Sequence, residues 1–155
     1  MIRNIFCLFL VFLLSIWNVR AYDFKSNGIY YTLKNGVRTP AVEVAVPPSS
    51  DEYRGEMVVP ASVSYRGNNY KVSAIACRAF SGCASLTSLT VPASVVEIGD
   101  SAFFGCTALK SLVLDDGDRP FWVGCHLYQG MSAGESLFQH CPLEALDPGR
   151  TLQSE

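Results

Sequence analysis

The residue types that carry metal or nucleophilic chemistry gather in the last third of the chain. Cys125-His126 and His140-Cys141 supply nitrogen and sulfur ligands of the kind zinc takes. Zinc pairs are usually separated by roughly two to four residues, whereas the members of both pairs here are adjacent. A cysteine protease needs one thiol activated by a nearby base and an orienting group. Nothing distinguishes Cys125 from an ordinary loop cysteine. Asp115-Asp116-Gly117-Asp118 offers carboxylates to calcium but lacks the alternating ligand spacing of an EF-hand, and an acidic surface turn accounts for it equally. Glu135 and Glu144 are too isolated to act as a glycosidase pair. No phosphate-cradling glycine loop or Gly-x-Ser-x-Gly elbow occurs. The expectation is a protein without catalytic residues, metal or cofactor.

Three aromatic residues in the same region, Phe121, Trp122 and Tyr128, point to recognition instead. Aromatic side chains dominate binding hot spots, and long insertions often carry function. The bland reading, that the same rings fold back to cover a distorted coil beneath them, is the one favoured over partner contact.

The elements that must hold these residues are announced by a repeat. When residues 72–94 are laid over 95–117, nine of 23 positions are identical. Val72, Ile75, Ala79, Phe80, Gly82, Cys83, Leu86, Ser88 and Leu89 reappear as Val95, Ile98, Ala102, Phe103, Gly105, Cys106, Leu109, Ser111 and Leu112. A period in the low twenties is the mark of a stacked solenoid. Leu86-x-x-Leu89-x-Val91 and Leu109-x-x-Leu112-x-Leu114 have leucine-rich spacing. Alternation along a strand turns Leu89, Val91, Leu112 and Leu114 inward. It leaves Ser88, Thr90, Ser111 and Val113 on the solvent face as candidate partner contacts. Gly82 and Gly105 permit a tight turn before the cysteines.

Leu137-Phe138-Gln139-His140-Cys141 matches the second repeat again, and Leu143 and Leu146 follow as its leucine pair. The expected organisation is a β-rich cap over 22–71, repeats at 72–94 and 95–117, an inserted loop at 118–134, and a degenerate repeat at 135–155. In the cap, Asn35-Gly36 reads as a tight turn and Arg66-Gly67-Asn68-Asn69 as the turn of a hairpin into Tyr70-Lys71-Val72. Pro148 stands where an apolar strand residue is expected, so the last strand is expected to be incomplete. An uncovered final coil would then favour self-association.

The motif Ile-x-x-x-Ala-Phe-x-Gly-Cys-x-x-Leu-x-x-Leu-x-(Val/Leu) resembles the BspA-like leucine-rich repeats of bacterial surface proteins, from Val63 to about Arg150. The resemblance implies a short leucine-rich-repeat array that recognises a protein or glycan at the cell surface, in adhesion or a related role. A shortened, self-associating repeat remnant without a ligand is the alternative.

The N-terminus reads as a secretory signal over residues 1–21: Arg3, an apolar run over residues 5–17, then Val19-Arg20-Ala21. The run is shorter than the roughly 20 residues a spanning helix needs, although an uncleaved anchor is the competing reading. No membrane span is expected once the signal is removed, and the address is the outside of a bacterium. The remaining chain would hold 10 basic and 14 acidic residues. No Lys or Arg cluster exists to neutralise phosphates, so nucleic acid is not an expected partner. Five cysteines would remain after cleavage: Cys77, Cys83, Cys106, Cys125 and Cys141. Cys83, Cys106 and Cys141 share one repeat position. That position favours a ladder of buried thiols, with a structural disulfide as the other possibility.

Overall fold

The computed structural model describes residues 21–117, 121–123, 137–148 and 152–154. Residues 1–20 of the expected signal segment, Asp118, Cys125, His126, Tyr128 and Glu135 therefore lie outside the described residues.

The chain winds between two sheets. One contains β1 (Phe24–Ser26), β2 (Ile29–Lys34), β3 (Ala41–Val44), β6 (Asn68–Ile75), β8 (Glu97–Ile98), β10 (Phe121–Val123) and β12 (Leu152–Ser154) in that order, with β5 (Ser62–Tyr65) paired to β6. The other contains β4 (Gly55–Val58), β7 (Leu86–Val91), β9 (Ser111–Leu114) and β11 (Ala145–Pro148). From β3 and β4 onward, strands from successive coils pair in parallel in both sheets. Among the described residues, antiparallel pairing is confined to β1 with β2, β2 with β3 and the β5–β6 hairpin.

The repeat dictates this stacking. Ile75 pairs with Ile98 and Leu89 with Leu112, so identical apolar residues from consecutive coils lie side by side. All four are essentially inaccessible to solvent. Burying each such side chain contributes about 1.5–3 kcal/mol, which is how a coil too small for its own core becomes stable. On the turn between the sheets, Tyr53, Phe80, Phe103 and Phe138 form an aromatic ladder with successive centroid distances of 4.9, 5.5 and 5.5 Å. The amide of each cysteine donates to the phenylalanine carbonyl three residues before it: Cys83 to Phe80, Cys106 to Phe103 and Cys141 to Phe138. The glycine position of this turn is left-handed, with φ of 73° at Gly82 and 71° at Gly105, and His140 takes it at 62°.

Several expectations require correction. The segment read as a β-rich cap contains a further coil, because β3 and β4 continue the two parallel sheets and Tyr53 takes the ladder position. Its spacing hides it. Val44 pairs with Ile75, 31 residues on, and Met57 with Leu89, 32 residues on, because the β5–β6 hairpin is inserted between them. Asn35-Gly36 does turn, with Gly36 at φ 81°, but Lys34 pairs with Ala41, so the whole connection is longer than a two-residue hairpin loop. The tight hairpins are at Asn27-Gly28 and at Arg66-Gly67, where both residues have positive φ; the second is the expected hairpin, but Asn68 and Asn69 already belong to β6 rather than to its turn.

Phe121–Val123 is also not loop. It forms β10, with Val123 beside Ile98 and Leu152 beside Phe121. The Phe103 amide donates to the Leu137 carbonyl as Phe80 does to Ala102. Ile98 and Val123 are 25 residues apart and Phe103 and Phe138 are 35 apart, so ten of the twelve residues beyond the period of 23 fall after Val123. Finally, β11 is complete: Leu146 pairs with Leu112 and Pro148 with Leu114. Alternate residues of an edge strand turn their amides away from the sheet, and proline is accommodated there.

Candidate functional site

Ser88, Thr90, Ser111 and Val113 converge on one surface. Parallel pairing sets Ser88 beside Ser111 and Thr90 beside Val113, and all four are half-exposed while their neighbours Leu89, Leu112 and Leu114 are buried. The register extends this surface at both ends. Glu56 lies beside Ser88 and Val58 beside Thr90, while Ala145 and Asp147 lie beside Ser111 and Val113. Val58, 68% exposed, is the most exposed large apolar residue described. The spacing of the repeats gave no hint of Val58 or Glu56, because both belong to the coil that the inserted hairpin disguises. Lys110 and Glu144, both largely exposed, make an ion pair of 3.2 Å at the margin. Such a pair orients two side chains but adds little stability.

Trp122 does not join this surface. It lies on the other sheet, on β10, beside Glu97. Glu97 is beside Ala74, Ala74 beside Glu43 and Glu43 beside Thr32, so one row crosses five strands; Glu97, Glu43 and Thr32 in it are half-exposed, but Ala74 is buried. The alternate row, Val44, Ile75 and Ile98, is buried. Trp122 is 36% exposed. Lys34 on β2 reaches across β3 and β6 to Glu97, with Nζ 3.1 Å from Oε2 and both side chains half-exposed. Burial pushes the Glu43 carboxyl above the ordinary carboxylate range. Lys34 pulls it back and the Glu97 charge pushes it up again. Of the other expected aromatic contacts, Phe121 contributes a strand position and Tyr128 lies outside the described residues.

The cysteine ladder is partly as expected. Cys83 and Cys106 are buried thiols, and the Cys106 thiol donates to the Phe80 carbonyl at 3.0 Å. Burial pushes the Cys83 thiol up to about 11 and that of Cys106 up to about 12. Cys141 is only half-buried, a correction to its expected place in the core, because no coil packs over it among the described residues. Its sulfur lies 3.6 Å from the Leu109 carbonyl. His140 is exposed on the turn, with its ring edge-on to Phe104 at 5.7 Å. Among the described residues, no group of three or more His, Cys, Asp or Glu side chains could hold a metal. Also among them, no helix is long and apolar enough to cross a membrane.

Residues 67–120 match the family model described as the BspA type leucine-rich repeat region. Two solved structures are similar. A leucine-rich cell surface protein from Faecalibacterium prausnitzii A2-165 shares 26% identity at a TM-score of 0.52, over 65% of this chain and 26% of that one. A leucine-rich repeat protein from Bacteroides ovatus ATCC 8483 shares 25% identity at a TM-score of 0.56, over 86% of this chain and 38% of that one. The chain thus spans well under half the length of either relative. No curated protein matches it.

Proposed function

Because residues 67–120 are a BspA-type leucine-rich repeat region within a parallel-stranded solenoid, we propose that the chain is a non-catalytic module that binds a macromolecule at a bacterial surface. The observation that carries this reading is the outward face of the four-stranded sheet. Glu56, Val58, Ser88, Thr90, Ser111 and Val113 lie there in two registered rows with an apolar edge at Val58. Solenoids of this kind present extended sheets to partners. Rigid strands hold such a face ready, so little ordering cost opposes association. An exported address, suggested by residues 1–21 and by the similarity to a cell surface protein, fits a protein or glycan partner.

The test is a binding screen of the purified protein against extracellular-matrix proteins and glycans, repeated with Thr90→Glu and Val113→Glu. A saturable partner lost in both variants supports the reading. Turnover of a glycan or peptide library would replace it with an enzymatic one.

The self-associating remnant remains the second reading, with one specific observation in its favour. β11 and β12 are the last strands of their sheets and each pairs on one side only among the described residues. Open edges recruit strands. A monomer at high concentration in analytical ultracentrifugation would exclude association through this end.

A further inference from the structure

We propose that the outer face of the eight-stranded sheet, at Trp122, Glu97 and Lys34, binds a neutral glycan chain. This inference rests on the reading of the chain as a binding module, but it assigns a different face and a ligand class.

The argument begins with position. In the three preceding coils, the place Trp122 occupies in the row is held by Glu43, Ala74 and Glu97. The tryptophan stands on the solvent side of its strand and is 36% exposed, so the residue is part of the surface. An electron-rich indole face suits the apolar C–H face of a sugar ring, to which it offers a large contact area at small entropic cost.

The neighbouring groups suit the rim of the same ring. Glu97 and Lys34 meet through a single contact of 3.1 Å. A carboxylate has several acceptor sites and an ammonium has three donors, so both retain capacity for hydroxyls. Their mutual contact also fixes two otherwise mobile side chains beside the indole, which lowers the ordering cost of binding.

Charge decides the ligand class. Lys34 neutralises Glu97, so a cationic ligand must compete with Lys34. An anionic ligand meets two carboxylates, Glu97 and Glu43, against the single ammonium of Lys34. A neutral polyhydroxylated chain avoids both conflicts. Beyond Glu97 the row is interrupted at Ala74, which is buried, and Glu43 and Thr32 are only half-exposed, so the contact centres on Trp122 and the Lys34–Glu97 pair.

Affinity electrophoresis and titration calorimetry with laminarin, xyloglucan and galactomannan test the proposal, with heparin and polylysine as charged probes. At least one neutral polysaccharide should bind saturably and with little salt dependence. Trp122→Ala should weaken binding about tenfold or more, Trp122→Phe less, and Lys34→Met several-fold. Thr107→Ala, on an exposed turn, should leave it unchanged. Circular dichroism melts of each variant separate lost binding from lost folding. If Trp122→Ala does not fold, Trp122→Phe and Lys34→Met carry the test. Binding indifferent to these changes, or confined to heparin or polylysine, overturns the site. If a matrix protein binds and no neutral polysaccharide does, the glycan site fails while the binding-module reading stands. If nothing binds, both fail.

Discussion

Replacing Tyr53 by phenylalanine installs the residue that the repeat itself uses at Phe80, Phe103 and Phe138, yet it should destabilise the protein. The ring would keep its place in the aromatic ladder, 4.9 Å from Phe80. What disappears is a hydroxyl that accepts from the Tyr30 amide at 3.0 Å and donates to the Ala45 carbonyl at 2.9 Å, both in buried surroundings. This hydroxyl ties β2 of the cap to the chain leaving β3, beside the direct bond from the Ala45 amide to the Tyr30 carbonyl. Each buried polar group left without a partner costs about 1–3 kcal/mol, partly offset because the hydroxyl no longer has to be desolvated. The expected net loss is about 2–4 kcal/mol, or roughly 6–15 °C in Tm for a chain of this size. Urea titration and thermal melts followed by circular dichroism would measure it. A loss below about 0.5 kcal/mol, or any gain, would refute the reasoning, because the two stranded groups would then have found other partners.

His140→Gly should stabilise by up to about 1 kcal/mol, since it restores the residue best suited to the left-handed turn that Gly82 and Gly105 occupy; an unchanged urea midpoint would contradict this. Leu112→Asp should unfold the array and Ser111→Asp should shift stability by no more than about 0.5 kcal/mol, because Leu112 is 1% exposed and Ser111 faces solvent; equal losses in parallel melts would mean the faces are misassigned. Under native conditions at pH 8, mass-resolved thiol labelling should reach Cys141 well before Cys83 and Cys106, since the latter two are buried and hold their protons. Their folded pKa values, about 11 and about 12, lie above the unfolded value of roughly 8.5. The stability they contribute is therefore present below that unfolded value and lost as pH rises towards 12; melts across pH 8–11 that show no decline would oppose this.

Two coils could be read directly from the residues. Their inward positions must match neighbours of the same kind, and stacking transmits that demand at an uninterrupted period of 23. The same physics held for the copy at Phe138, because the aromatic ladder and cysteine turn tolerate little else there. Where the chain inserts residues between core positions, the period is lost although the packing is not. The coil of β3, Tyr53 and β4 is separated from the next by the β5–β6 hairpin, and tyrosine replaces the expected ring. The expected loop around Phe121 likewise proved to contain a strand, since three residues are too few to show a pattern and only pairing with Glu97-Ile98 reveals them.

Fold class, the inward and outward faces of two strands, and the exposure of Ser88, Thr90, Ser111 and Val113 were therefore determined by the sequence itself. Alternation along a strand is a local rule, and stacking repeats it. Which distant side chains share a surface was decided by tertiary structure alone. Lys34 and Glu97 are 63 residues apart in the chain, and Trp122 lies beside Glu97 but on the opposite sheet from the serine and threonine face. Such neighbours are set by how many residues each coil spends in its connections. The lengths of those insertions have no signature in the apolar pattern that builds the core.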